Sequence, residues 1–486
     1  MILEHVPIGH LGIAELGRAL RSGCLSATSL AHHVIRQHRQ HGELLGAYKF
    51  FDERACLAQA AVADSAFKAG MDLGPLQGIP ISVKDMYGVS GWPTFAGAKR
   101  ALPNQWRSEG PLVQGLRRQL AVLVGKTHTV EFALGGLGLN NHHGTPRNPW
   151  DTTGHRVPGG SSSGAGVSLL EGSAWVALGT DTAGSVRVPA AYTGTVGFRP
   201  SPGTWSTRGI VPLSSTCDTP GVLVRTAADL ALVYRTLSCE LSPTQLPTPK
   251  PLAGYRLGVD RTFFFARCAP GIAEAVENVL TQLASAGADI VEVRLTEADE
   301  AYEIFHDGGI AGPELLASFG TTLPDRHDEL DESVRLRLSQ ASSMTATTYI
   351  RSIRKLDRLA QQAEHRLSHV DAMLTPSTLN LPPLLEDLND PQTYIRANID
   401  AMGNTGVFSL FGFCALSMPV ALSHEGLPIG LQLAAPRGAE AMLVQIACAI
   451  EDMIGNARQL LGTPPLLQQQ LEPRLSSGAT FPNGVT

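Results

Sequence analysis

The sequence has no marked excess of charge of either sign. Its 486 residues include 38 lysines and arginines against 44 aspartates and glutamates, so the formal net charge is −6. Proteins that bind nucleic acids or anionic membrane surfaces concentrate basic residues in patches. The balance therefore predicts that neither nucleic acid nor a membrane is a partner.

Cysteine is scarce, and the pattern of a metal site is missing. The seven cysteines are an odd number without C-x-x-C spacing, and no H-E-x-x-H or mixed cysteine–histidine ligand set occurs. The simplest interpretation is buried free thiols in a reducing cytosol, so we expect no metal and a cytoplasmic location. The cysteines are Cys24, Cys56, Cys217, Cys239, Cys268, Cys414 and Cys448.

A long hydrophobic run is also missing. The longest charge-free apolar stretch, 406–423, spans about 18 residues and contains Pro419. It favours a buried strand with an approach loop over a membrane span. The N-terminal segment MILEHVPIGHLG lacks a basic region followed by an apolar run, so we expect no secretory signal.

The spacing of apolar residues alternates between the periods of helices and strands. Such alternation predicts an α/β domain with a mixed or largely parallel sheet. Residues 185–201 indicate a turn and a strand, and the charged segment 296–370 indicates helices. The other expected helices are 11–41, 54–69, 110–120, 167–172 and 271–286, and the expected strands are 78–85, 120–127, 173–181, 255–260 and 288–295.

Two segments lack this periodicity. Residues 135–166 are rich in glycine, asparagine, proline and serine, and so long an irregular loop in a compact protein is usually functional. The proline-rich segment 242–251 indicates a surface linker rather than a domain boundary.

Glycine is abundant, with 50 residues, and it accompanies serine in two segments. They are GGSSSGAG at 159–166 and GTDTAGSVRVPAA at 179–191. Glycine lets the backbone approach a ligand closely, and backbone N–H groups beside a serine suit acyl transfer, in which an oxyanion must meet donors. The alternative is a pair of glycine-rich turns without a catalytic role.

Lys84 follows the buried strand predicted at 78–85. Burial lowers the pKa of a lysine, and the neutral amine can then act as a base. The alternative is a surface lysine that forms a salt bridge, and the neighbouring Asp85 fits that role.

Other catalytic templates fit less well. The segment 160–164 matches G-x-S-x-G around Ser162, but a nucleophile elbow requires a strand immediately before it, and here a loop precedes it. Residues 125–127 resemble the end of a phosphate-binding loop without its first glycine, and 135–141 lacks the last glycine of G-x-G-x-x-G. Nucleotide binding is therefore poorly supported.

Taken together, these segments resemble the amidase-signature family. The resemblance extends from about residue 10 to 460 and is strongest over 76–226. It rests on PLQGIPISVKD, GGSSSG, GTDTAGSVRVPAA, GFRPSPGTWSTRGIVP and, further along, GLPIGLQLAA. It implies a single large α/β domain over 1–465, whose central mixed β-sheet is covered on both faces by helices. Its core would be 70–230, its helical variable region 296–370, and residues 466–486 a loosely ordered tail.

The resemblance also implies a Ser–cis-Ser–Lys triad. Lys84 maps to the base, Ser161 to the bridging serine after a cis peptide bond, and Ser185 to the nucleophile. The separation 185 − 161 = 24 is the family spacing, and it selects Ser161 over Ser162 and Ser163 as the bridge. The oxyanion would meet backbone N–H groups of Thr182, Ala183, Gly184 and Ser185, with support from Asp181, Arg187 and Ser162.

Hydrolysis of a small carboxamide to a carboxylate and ammonia, without a metal or organic cofactor, is the activity that the resemblance implies. Members acting on indoleacetamide or mandelamide are the most similar in sequence pattern. Allophanate-type hydrolysis of urea-derived amides and a glutaminase subunit of a tRNA-dependent amidotransferase are alternatives, as is a binding module without activity. Specificity would come from 128–147 and 300–420, with Tyr192, Phe305 and Phe411 as candidates, and a homodimer is an open alternative to a monomer.

Overall fold

Eleven strands form one mixed sheet within the described part of the chain, residues 7–238 and 251–468 of a computed structural model. The spatial order is β1-β3-β2-β4-β6-β5-β10-β11-β9-β7-β8. The strands are β1 Tyr48–Phe51, β2 Pro80–Lys84, β3 Val122–Thr127, β4 Val176–Asp181, β5 Val196–Arg199, β6 Thr219–Val224, β7 Arg256–Val259, β8 Asp289–Glu292, β9 Ala372–Pro376, β10 Cys414–Leu422 and β11 Pro428–Ala435.

The sheet is mixed because two groups of three parallel strands flank an antiparallel centre, and the edge strand β1 is antiparallel to β3. Strand β2 lies parallel to β3 and β4, and β7 lies parallel to β8 and β9. The six other pairs are antiparallel. This arrangement confirms the predicted α/β domain with a mixed sheet.

Helices flank the sheet. Every residue of β2, β3, β4, β6 and β11 is buried, and successive side chains of a strand point to opposite faces, so both faces are covered there. The helices are α1 Ile13–Arg21, α2 Ala27–Leu45, α3 Glu53–Lys68, α4 Pro111–Arg118, α5 Ser163–Glu171, α6 Arg187–Thr193, α7 Ala227–Ser238, α8 Ile272–Ser285, α9 Glu297–His306, α10 Ala311–Thr322, α11 Glu332–Ser342, α12 Ala346–Arg366, α13 Pro391–Leu410, α14 Glu440–Ile454, α15 Ala457–Leu461 and α16 Pro465–Gln468.

Two expectations about local structure were wrong, and a third did not separate two helices. Residues 185–201 contain the buried helix α6 before β5, because this short helix is buried all round and so shows no helical period. The approach to β10 is the helix α13 rather than a loop. The expected helical region 11–41 is two helices separated by a turn in which Gly23 has φ +73°.

The described C-terminal end also differs from the predicted loose tail. Helix α16 includes Leu466 and Leu467, and both side chains are buried. Residues 469–486 of that tail lie outside the described residues, as does nearly all of the predicted linker 242–251. The segment 296–370 contains α9 to α12, as its composition predicts.

Two further findings concern cysteines and membranes. The described cysteines are free thiols, but only Cys56, Cys217 and Cys414 are buried as predicted. Cys24 is exposed, Cys268 and Cys448 are partly buried, and Cys239 lies outside the described residues. No helix among residues 7–238 and 251–468 is long and apolar enough to cross a membrane.

Candidate active site

Lys84 lies at the end of β2, where the parallel strands β3 and β4 enclose it, and its side chain is fully buried. Its Nζ is 2.7 Å from Ser161 Oγ and 2.7 Å from Thr180 Oγ1. No carboxylate in the described chain lies within ion-pair distance of this amine. The salt-bridge alternative is therefore wrong for Lys84, because Asp85 pairs instead with Lys126 at 2.7 Å.

The environment of Lys84 favours the neutral amine. Burial lowers its pKa from the usual 10.5 to about 7, against the opposing effect of the Asp218 and Asp181 charges. An amine with such a pKa is about half neutral at pH 7, and the neutral form can accept a proton.

Ser161 joins the lysine to the glycine-rich loop. The Gly160–Ser161 peptide bond is cis, as the family resemblance implies. The carbonyl of Ser161 accepts hydrogen bonds from the backbone N–H groups of Val130 and Ser163, which hold the loop beside the end of β3. Its side chain is fully buried, so the hydroxyl that contacts Lys84 is shielded from bulk water.

Ser185 lies beside the triple-serine segment. Its carbonyl accepts a hydrogen bond from the Ser162 N–H at 3.2 Å, so the two glycine-rich segments are in direct contact. Ser162 does not occupy an elbow: its hydroxyl contacts the backbone N–H and carbonyl of Thr180 at 3.4 and 3.3 Å. Ser185 is 3% exposed and lines a cavity, so it is the serine of this group that a ligand can reach.

The turn before Ser185 requires a glycine. Gly184 has φ +137°, and a β-carbon there would lie 2.1 Å from Thr405 Oγ1. The same hydroxyl donates to the Ala183 carbonyl at 2.7 Å. Thr405, on α13, thus fixes the conformation of the turn.

One predicted oxyanion donor is already in use. The Gly184 N–H donates to Asp181 Oδ1 at 2.8 Å, so it does not point toward an oxyanion position. The backbone N–H groups of Thr182, Ala183 and Ser185 donate to no other described residue. The sequence could not distinguish these four groups, because their directions depend on the carboxylate of Asp181.

Asp181 and Arg187 form a buried ion pair rather than lining the cavity. The Arg187 guanidinium donates to Asp181, to Gln432 Oε1 at 2.7 Å and to Ser409 Oγ at 2.5 Å. Burial would raise the pKa of Asp181, but the charges of Arg187 and Arg199 hold it well below its usual value. The ionised Asp181 therefore organises the turn that carries Ser185.

Two polar residues near the lysine were not predicted. Thr180 is the second hydroxyl partner of Lys84, and Asp218 accepts a hydrogen bond from Thr182 Oγ1 at 2.5 Å. Thr180 immediately precedes Asp181 at the end of β4. Its position next to this predicted supporting residue is the only sequence signal that could have identified it. Asp218 is distant in sequence and gave no signal.

The cavity at Ser185 has a volume of about 540 Å³. Residues 133–135 and residues from α9 to α13 are among those that line it, and they fall within the two predicted specificity regions. Phe305 is among the lining residues. Tyr192 and Phe411 are not, because Tyr192 is buried with its hydroxyl bonded to Asn380 and Phe411 is buried in the main core.

No group of three or more histidine, cysteine, aspartate or glutamate side chains that could hold a metal ion occurs within the described ranges. The protein groups gathered at this site are hydroxyls, an amine and backbone N–H groups.

Comparison with known proteins agrees with this geometry. The chain is 48% identical to 2-amino-5-chloromuconic acid deaminase of Comamonas testosteroni over 94% of this chain and 99% of that protein. It is 30% identical to one of the subunits of the glutamyl-tRNA(Gln) amidotransferase of Salinispora tropica, over 93% and 98% of the two chains. A crystal structure of an amidase superposes with a TM-score of 0.83 at 28% identity, covering 92% of this chain and all of the other.

The sequence model of the Amidase family matches residues 30–444. This range includes the buried lysine, both serine-glycine segments and most of the cavity wall. The chain is a member of the Amidase family and an amide C–N hydrolase.

Proposed function

We propose that Ser185 is the nucleophile, Ser161 the proton bridge and Lys84 the base of this hydrolase. The observation that carries the proposal is the 2.7 Å contact between Lys84 Nζ and Ser161 Oγ in a fully buried setting, where burial brings the lysine pKa to about 7. A neutral amine can take the Ser161 proton while Ser161 takes the proton of Ser185.

The reaction releases ammonia from a small carboxamide in two halves. Ser185 Oγ attacks the carbonyl carbon, and the oxyanion is stabilised by N–H groups of Thr182, Ala183 and Ser185. The C–N bond then breaks as the relay returns its proton to the leaving nitrogen. Water attacks the resulting acyl-enzyme, gives its proton to the relay and releases the carboxylate and Ser185.

Trapping with a serine-directed phosphonate tests the nucleophile. Ser185→Ala should abolish labelling, whereas Ser163→Ala, a change in the neighbouring serine run, should leave it intact. Mass spectrometry of the intact protein gives the stoichiometry. Labelling that persists in Ser185→Ala would overturn the assignment, and purified protein that releases no ammonia from a broad amide panel would overturn the proposed reaction.

The relative from Comamonas testosteroni favours a second candidate, deamination of an amino-substituted muconic acid. Such a reaction also replaces nitrogen by oxygen at a carbon open to nucleophilic attack, with water consumed and ammonia released. Ammonia release from 2-aminomuconate, with carboxamides inert, would favour this candidate. The reverse pattern would favour the carboxamide reaction.

The alternative activities, the location and the oligomeric state of the protein can each be tested. Allophanate turnover, or glutaminase activity that appears only with a partner protein, would support the two remaining enzymatic alternatives. We further propose a cytoplasmic enzyme, and a homodimer as an alternative to the monomer. Light scattering of the purified chain measures its mass, and fractionation of the producing cells locates it.

A further inference from the structure

A single guanidinium faces the cavity that Ser185 lines. Arg337, on α11, is the one lysine or arginine among the described residues around this cavity. The acidic and histidine side chains around it, Asp307 and His306, are 81% and 58% exposed and belong to the mouth. Arg337 therefore provides the fixed positive charge of the interior.

Neutral partners hold the guanidinium in place. One terminal nitrogen of Arg337 donates to the Leu134 carbonyl at 2.9 Å, and the neutral side chain of Tyr394 lies close to the guanidinium. No carboxylate among the side chains that the structure describes lies within 4.0 Å of Arg337, so its charge has no described ion-pair partner. Because Arg337 lines the cavity, a ligand in the cavity can reach its guanidinium.

This arrangement suits a carboxylate. A guanidinium presents parallel N–H groups that match the two oxygens of a carboxylate, and such charge-assisted pairs are strong when water is excluded. The Leu134 carbonyl comes from the segment 133–135, which also borders the cavity beside α11. Arg337 is thus oriented before a ligand arrives, which reduces the entropy cost of binding.

We infer that Arg337 binds a carboxylate of the substrate, so that the preferred substrates are small acids whose scissile C–N bond reaches Ser185 while the carboxylate stays at α11. The inference rests on the proposed function, since it assigns the same cavity to the reacting compound. It also assigns a specificity-determining role to a residue of the variable helical region.

Matched pairs of amides test it. The monoamides of malonic, succinic, glutaric and adipic acid each have a neutral diamide of nearly the same shape, and chain length probes the span from Arg337 to Ser185. The wild type should prefer one or two monoamides over their diamides. In Arg337→Met this ratio of kcat/KM should fall about 10- to 100-fold, mainly through KM, because a charged hydrogen-bonded contact is lost.

Two further variants make the result specific. Arg337→Lys should recover part of the preference, because charge is kept while the paired geometry is lost. Arg335→Met removes an exposed arginine of the same helix and should leave the ratio unchanged. Thermal unfolding of each variant reports loss of the Leu134 contact separately from loss of substrate preference.

Calorimetry separates binding from chemistry. The monoamides should bind Ser185→Ala, and the double variant with Arg337→Met should bind them at least about 10-fold more weakly. Equal kcat/KM for the monoamide acids and the diamides would overturn the proposed binding of a carboxylate by Arg337. The proposed hydrolysis by Ser185 would be unaffected by that result. Acid binding that depends on Arg337 without any ammonia release would instead overturn the proposed reaction and leave the carboxylate site intact.

Discussion

The ends of β2 and β3 carry two buried lysines with different partners. Lys84 and Lys126 are on neighbouring parallel strands, and both side chains are 0% exposed. Lys84 contacts the hydroxyls of Ser161 and Thr180, whereas Lys126 is 2.7 Å from the Asp85 carboxylate. Burial lowers the pKa of both amines. Only Lys126 has a described counter-charge in contact, and the lysine that we propose as the base is the one without such a partner.

Removing the amine of Lys84 should give the largest effect. Lys84→Met should lower kcat/KM for ammonia release by about 10²–10⁴-fold, because the serine relay loses its base. The fold should persist because methionine fills nearly the same space as lysine. The substitution also leaves no described carboxylate without an ion-pair partner. Thermal unfolding of the variant is the control for loss of folding. A Lys84→Met variant as active as the wild type would contradict the proposed role of Lys84 as the base.

Changing Lys126 should affect stability first. Lys126→Met leaves Asp85 as a buried carboxylate without its ion pair, which should cost about 3–5 kcal/mol of unfolding free energy. Denaturant titration measures the loss. The double variant with Asp85→Asn should recover part of it, because neither charge is then buried alone. A stable but inactive Lys126→Met protein would contradict the assigned role.

The pH profile distinguishes a neutral base from a paired cation. Because the pKa of Lys84 is lowered to about 7, kcat/KM should rise with pH up to about 7 and level off above it. Below that value the protonated amine cannot accept a proton, so activity should fall about tenfold per pH unit. The residual activity of Lys84→Met should not fall in this way below pH 7. If the same acidic limb of the profile persists in this variant, another group must cause it.

Removing the second hydroxyl that contacts Lys84, that of Thr180, should have the smallest effect on activity. Thr180→Val removes a neutral hydrogen-bond partner of the amine and should lower kcat/KM about 2- to 10-fold. The acidic limb should move to lower pH, since the protonated amine loses an acceptor. A merely structural role for Thr180 would lower stability without moving the limb.

Much of the fold, and the meeting of Lys84 with the glycine–serine segments, could be predicted from the sequence. Strand and helix periods predicted the α/β class, and the glycine–serine segments with Lys84 predicted a serine-based site. Helix α6 was missed because all of its residues are buried and no amphipathic period marks it. The approach to β10 was missed for a related reason, since the latter half of α13 is largely buried.

The cavity wall was predicted only as two broad regions. Loop 128–147 and helices within 300–420 do meet around the cavity, but of three suggested aromatic residues only Phe305 lines it. Arg337 gave no signal among the many charged residues of 296–370. Its environment depends on contact with Leu134, 203 positions earlier in the chain.

The sequence alone determined the local strand and turn preferences and the 24-residue separation of Ser161 and Ser185. These properties depend only on residues that are near each other along the chain. Tertiary structure decided which of the charged groups meet. The pairing of Asp85 with Lys126 and the engagement of the Gly184 N–H by Asp181 depend on strand register and turn direction. The pKa of Lys84 is lowered because packing buries the amine among hydroxyls, and burial is a property of the assembled sheet rather than of any segment.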